Sequence, residues 1–315
     1  MTWFGAEIDG PLIVVRAIHF VATAVTAGAP IFRAVVAEPA LRSQRQASAI
    51  VQSQIRGVAS IGLAVAMASG LTWVLLVTMS LSAQGPGEAV MSGALRDVLN
   101  LTQFGLVSQI RLGLAILLAT CLAFDRLAPA RWLALASALG FVGSIAWTGH
   151  AGSTAGRLGN LHLAADTLHL IGAAAWIGAL PSLVLLLAAV RGNKALAAAS
   201  LAQSAAQRFS TLGTISVGTL LVSGIINAWL LVGSFRGLIF NGYGMVLMLK
   251  LAVFAAMLGF AAVNRFWLTP RLTGSPDDAA LRQLTRNSVI EIVLGFVIFA
   301  IVGLLGTLHP ASHFM

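Results

Sequence analysis

Six histidines, His19, His150, His162, His169, His309 and His313, are the residues of this 315-residue chain best suited to coordination chemistry. The sharpest cluster is HLAADTLH over 162–169. At about 100° per residue, its offsets place His162, Asp166 and His169 on one helix face within roughly 60°. Two imidazoles and a carboxylate on one stripe suit Cu(II) or Zn. Nearby thioethers, Met79, Met91, Met245 and Met248, would suit Cu(I). The same stripe is predicted to continue through Ala173 to Trp176. The competing reading pairs Asp166 with Arg16 or Lys250 and leaves the histidines as hydrogen-bonding groups.

Those residues must be carried by membrane helices. With 58% hydrophobic residues, 9% charged residues and a mean hydropathy of +0.91, the chain has too much apolar surface for a soluble domain. Eight apolar stretches approach the ~20 residues needed to cross the hydrocarbon. They lie near 11–35, 55–80, 105–126, 131–150, 161–190, 207–233, 244–268 and 287–309. The expected fold is an all-α integral membrane bundle of eight transmembrane helices in one polytopic domain, 1–315. Of the nineteen Lys and Arg, thirteen flank the loops after stretches one, three, five and seven; Arg96, Arg111, Arg157 and Arg236 mark the other side. Positive loops stay in the cytoplasm, so both termini are expected to be periplasmic, and with them all six histidines. The net charge of +9 is accounted for by topology, leaving no case for a nucleic-acid partner.

Depth sorts the histidines. His19 and His169 each lie about eight residues, or ~12 Å, below the outer ends of their helices and are predicted to face each other. His150, His162 and His309 form a shallower ring at the mouth, and His313 sits in the tail. Asp166 is a functional candidate because an ionisable group inside the bilayer is costly unless paired or ligated. Cys121 has no partner for a thiolate site. Glu291 is expected to form an interfacial ion pair with Arg286 or Arg265. The loop 81–104 is long enough for a short surface helix, and 269–286 reads as a hydrated turn. Acidic residues rather than a basic run precede the first stretch, so it is not expected to be a cleaved signal. No H-E-x-x-H, phosphate loop or G-x-S-x-G occurs, which argues against an enzyme, and no convincing internal repeat is visible.

Three segments together resemble the copper-resistance protein D family: HLAADTLHLIGAAAWIGALPSLVLLL, RFSTLGTISVGTLLVSGIINAW and YGMVLMLKLAVFAAMLGFAAVNRFWLTPRL. The likeness is best over about 140–310 and looser before it. It implies a bacterial inner-membrane protein of copper homeostasis that moves copper inward. Its partner would be a small periplasmic copper-binding protein of the copper-resistance C type, since no fused periplasmic domain is expected here. The ligands would be His169, Asp166, His19 and His162, with His150 and His309 at the mouth. A reading of another class is a b-type haem electron carrier ligated axially by His19 and His169.

Overall fold

The computed structural model describes residues 2–3, 6–7, 9–42, 45–154, 156–192, 198–272 and 278–308. Among these are eight helices long and apolar enough to cross a bilayer. They are α1 (Gly10–Ala40), α2 (Ser48–Ser82), α3 (Gln103–Ala123), α4 (Ala128–Thr148), α5 (Gly156–Arg191), α6 (Ser200–Val232), α7 (Gly242–Arg271) and α8 (Asp278–Leu305). The all-α bundle read from composition is the observed architecture. The pieces Thr2–Trp3 and Ala6–Glu7 pair as a two-residue antiparallel ladder. Helix α8 begins at Asp278 rather than near residue 287, because DAALRQLTRN is itself a good helix former and Asp278 complements the dipole of the first turn. Much of the supposed hydrated turn 269–286 is therefore helical, while residues 273–277 lie outside the described residues. The loop between α2 and α3 holds two short helices, Pro86–Met91 and Ala94–Leu101.

Three helices widen locally into π-turns, at Arg33–Ala37, Ala174–Gly178 and Asn264–Leu268. Each is followed closely by a proline: Pro39, Pro181 or Pro270. Proline lacks the N–H that would bond the carbonyl four residues back, and its ring collides with that carbonyl. In every case that carbonyl lies inside the π-turn, so the widened turn relieves the collision without ending the helix. The consequence for α5 is a change of face. Trp176 lies within the π-turn and turns toward α8, so the stripe of Asp166 and His169 does not continue through it as the regular periodicity predicted.

The bundle has an internal repeat that the sequence did not reveal. In the first half α1 packs on α2 and α4, and α3 on α4; in the second half α5 packs on α6 and α8, and α7 on α8. Between halves α1 meets α8, as α5 meets α4, and α1 meets α5. That is the pattern of a pseudo-twofold axis relating α1–α4 to α5–α8. A short helix precedes both α3 and α7. Both are N-capped by a side chain, Thr102 onto Gly105 N and Asn241 onto Tyr243 N. At the α1–α5 crossing, a Cβ on Gly28 would fall on backbone atoms of Gly178 and Ala179, and one on Gly178 would fall on Ala24 O. Only glycine allows this approach.

Charges gather at the end of the bundle where α1 finishes. Arg33 bonds Glu38 at 3.1 Å and Asp125 at 3.3 Å, Arg56 reaches Asp125 at 3.4 Å, and Arg131 reaches Glu38 at 3.4 Å. The network ties α1 and α2 to α4 and to the turn between α3 and α4. Among the described residues Glu291 is not part of any such pair. It is buried within the bundle, where Trp176 Nε1 and Asn264 Nδ2 donate to its two oxygens, and Arg265 instead donates to Ser210. The expected interfacial ion pair fails because α8 starts early and carries residue 291 below the interface.

Candidate metal centre

Helix α5 presents Asp166 and His169 to α6. Asn227 Nδ2 donates to Asp166 Oδ1 at 3.1 Å, and His169 Nδ1 lies 3.0 Å from Ser223 Oγ. Ser223 and Asn227 are four residues apart on α6, so two neighbouring polar groups on one helix meet two on the other. The Ser223 hydroxyl donates its one proton to Thr219 O at 2.6 Å. It can therefore only accept from His169, which places the ring proton on Nδ1 and leaves a lone pair on Nε2. This is the arrangement metal-ligating histidines use, with the non-coordinating nitrogen anchored by an outer hydrogen bond.

The same device recurs at His162. Its Nδ1 is 2.8 Å from Thr154 Oγ1, whose own proton goes to His150 O at 3.1 Å, so Nε2 again carries the lone pair. His150 meets the Tyr243 ring edge-on, with centroids 6.3 Å apart, and Tyr243 is close enough to Asp166 to feel its charge. Lys250 of α7 lies within electrostatic reach of both Asp166 and His169. The hydrogen bond on Asp166 nonetheless comes from a neutral amide. Arg16, the other suggested partner, donates to Gly306 O at 2.8 Å and stacks over Trp73.

His19 occupies the equivalent place in the first half. Its Nδ1 approaches Ala66 O at 3.0 Å and Ser69 Oγ at 3.1 Å, and Ser69 donates to Val65 O. The proton is again on Nδ1. Here, however, Nε2 is taken by Arg111 Nη2 at 2.7 Å. The two centres correspond residue by residue: His19 with His169, Ser69 with Ser223, Arg111 with Lys250, Arg16 with Asp166, and Trp73 with Asn227. Each ring also lies against a glycine of the adjacent helix. A Cβ on Gly70 would stand 3.1 Å from His19 Cε1, and one on Gly224 would stand 3.4 Å from His169 Cε1. Arg111, assigned from sequence to an outer edge, is buried well inside α3, where it also binds Phe141 O and Ser144.

Of the residues singled out by sequence, Asp166 and His169 share one polar seam, with His162 and His150 at the same end of α5. His19 stands apart with Arg111. Among the described residues no three His, Cys, Asp or Glu side chains converge as a ready-made metal cluster. His309 and His313 lie outside the described residues. Ser223, Asn227, Thr154, Tyr243 and Arg111 were missed. The four-residue spacing of Ser223 and Asn227 toward the end of α6 was the available signal. Axial haem ligation by His19 and His169 would need both Nε2 atoms, and Arg111 already holds one.

Known proteins bear on this geometry. The sequence model described as copper resistance protein D-like, N-terminal domain, matches residues 7–160, and that described as copper resistance protein D matches 203–305. Copper resistance protein D of Pseudomonas syringae pv. tomato is 31% identical over 218 residues, covering 66% of this chain and 69% of the relative. Inner membrane protein YebZ of Escherichia coli (strain K12) is 32% identical over 166 residues, covering 53% and 55%. Copper transport protein CutJ of Bacillus subtilis (strain 168) is 30% identical over 220 residues, 67% of this chain but 38% of the relative. No solved structure matches.

Proposed function

Since the chain belongs to the copper resistance protein D family, we propose that it binds copper at the α5–α6 seam from the periplasmic side of the bacterial inner membrane and passes it inward. The observation that carries this reading is the fixed tautomer of His169, which presents an unprotonated Nε2 on the same seam as Asp166. His169 and Asp166 are the core ligands, His162 follows, and His150 and His309 receive copper at the mouth. His19 is the counterpart ligand of the first half and enters the coordination only when Arg111 leaves its Nε2. A small periplasmic copper-binding protein of the copper-resistance C type is the proposed donor.

The orientation follows from the bias of Lys and Arg toward one face. With Arg111 buried inside α3, that bias is stronger than the loop tally alone conveys. Reporter tags at either terminus are expected to read as periplasmic, and a tag inserted between Leu272 and Asp278 as cytoplasmic. Termini on opposite sides would remove the basis for copper capture from outside. The transport step is tested by copper accumulation in cells expressing the protein from a controlled promoter. Wild type is expected to raise cell-associated copper, and Asp166→Asn to return it to the empty-vector level at equal protein abundance. Equal accumulation by both would reject uptake through this seam.

A further inference from the structure

Glu291 on α8 is 2% exposed and makes no ion pair among the described residues. Its Oε2 accepts from Trp176 Nε1 at 3.1 Å and its Oε1 from Asn264 Nδ2 at 2.6 Å. Asn287 Nδ2 in turn donates to Asn264 Oδ1 at 3.0 Å. Trp176 and Asn264 both lie in π-turns, so proline-driven widening in two helices aims two N–H donors at one carboxylate. A cavity of about 250 Å³ between α5, α6, α7 and α8 reaches this group, lined also by Ser210, Ser288 and Arg265. Arg265 is the other charged side chain on that cavity, and its Nη1 donates to Ser210 O at 3.0 Å and Ser210 Oγ at 2.8 Å. Of the other charges at this end, Arg33 is held by Glu38 and Asp125, while Arg208 of α6, Arg271 of α7 and Arg282 and Arg286 of α8 are exposed.

Two neutral donors do not cancel a full negative charge in a low-dielectric bundle, so the carboxylate calls for a positive partner. The donor geometry decides which one. A metal ion needs several converging oxygen acceptors, yet Trp176 and Asn264 offer N–H groups and the Asn264 carbonyl is already engaged. A proton needs one carboxylate oxygen and an acceptor for the new O–H, which cavity water or the Ser288 hydroxyl supplies. We infer that Glu291 is a proton-exchange site, loaded from and emptied into the cavity at the end of the bundle opposite the histidines. On loading, a proton from hydronium bonds to a carboxylate oxygen and water is left behind. On release the same O–H bond breaks to water. Loading also weakens the charge-assisted bonds from Trp176 and Asn264, so the junction of α5, α7 and α8 loosens when the group is neutral. The inference does not depend on copper binding.

The test is infrared difference spectroscopy of the full-length protein in nanodiscs, comparing mildly acidic with mildly alkaline buffer. Wild type is expected to show a protonated-carboxyl stretch on acidification. The band should persist in Asp166→Asn, vanish in Glu291→Gln, and change frequency in Trp176→Phe, which removes one N–H contact. Carbon-13 glutamate labelling should shift the same band in wild type, a reading that needs no variant to fold. Absence of a glutamate-labelled carboxyl band at every pH, or its survival in Glu291→Gln, would overturn the assignment. So would a band abolished by added sodium, potassium or copper at constant pH, which would make the site a metal-cation site instead.

Discussion

Replacing His169 with Ala, or Asp166 with Ala, is expected to lower copper affinity by well over ~10–100-fold, the range typical when only an outer hydrogen-bonding partner of a ligand is lost. The protein should remain folded, because the hydrogen bonds of both side chains run to neutral groups on α6, His169 to Ser223 and the Leu220 backbone and Asp166 to Asn227. His313→Ala should have little effect. The measurement is bound copper per folded molecule in equilibrium titrations, alongside the thermal midpoint of each variant. If Asp166 only offsets Lys250, Asp166→Ala would lower the thermal midpoint and leave copper stoichiometry unchanged. Normal stoichiometry in both variants would reject the site.

The second large effect is structural and centres on the α1–α5 crossing. Gly28→Ala or Gly178→Ala is expected to cost at least the upper end of the ~1–3 kcal/mol typical of overpacking, because the added methyl meets backbone rather than a movable side chain. Gly57→Ala on α2 is the control, since nothing lies within 4 Å of a Cβ there. The folded fraction after extraction and the unfolding temperature report the difference. Equal stability of the Gly178 and Gly57 variants would show that the helices can separate without loss.

The helices themselves were legible because each is a long apolar run. The pairing of Asp166 with His169 was legible because that part of α5 is a regular helix and the ~100° rule holds there. The rule fails a few residues later, where the π-turn before Pro181 inserts an extra residue per turn and sends Trp176 to Glu291. Glu291 itself was misplaced for a related reason: its partners Trp176 and Asn264 both sit in turns that regular periodicity does not anticipate. The internal repeat was hidden because equivalent positions exchanged chemistry, Arg16 for Asp166 and Trp73 for Asn227. What survives is spacing, nine residues from His19 to Gly28 and from His169 to Gly178, and six from Gly105 to Arg111 and from Gly244 to Lys250. The bond between Arg111 and His19 joins residues 92 apart in the chain, and no local pattern foretells it.

Each half of the repeat contains an even number of crossings, so the two halves enter the membrane from the same side and their pseudo-axis runs along the bilayer normal. In an inverted repeat the pseudo-axis lies in the membrane plane and maps one face of the membrane onto the other; an axis along the normal maps each site onto a counterpart at the same depth. His19 and His169 therefore stand at one depth, each among the partners of its own half, not as successive stations across the membrane. A cargo moving between them travels sideways and gains no distance toward the far compartment. The inward step proposed above would instead have to run down the length of the bundle, around the crossing where Gly28 and Gly178 bring the backbones of α1 and α5 into contact and leave no room between them.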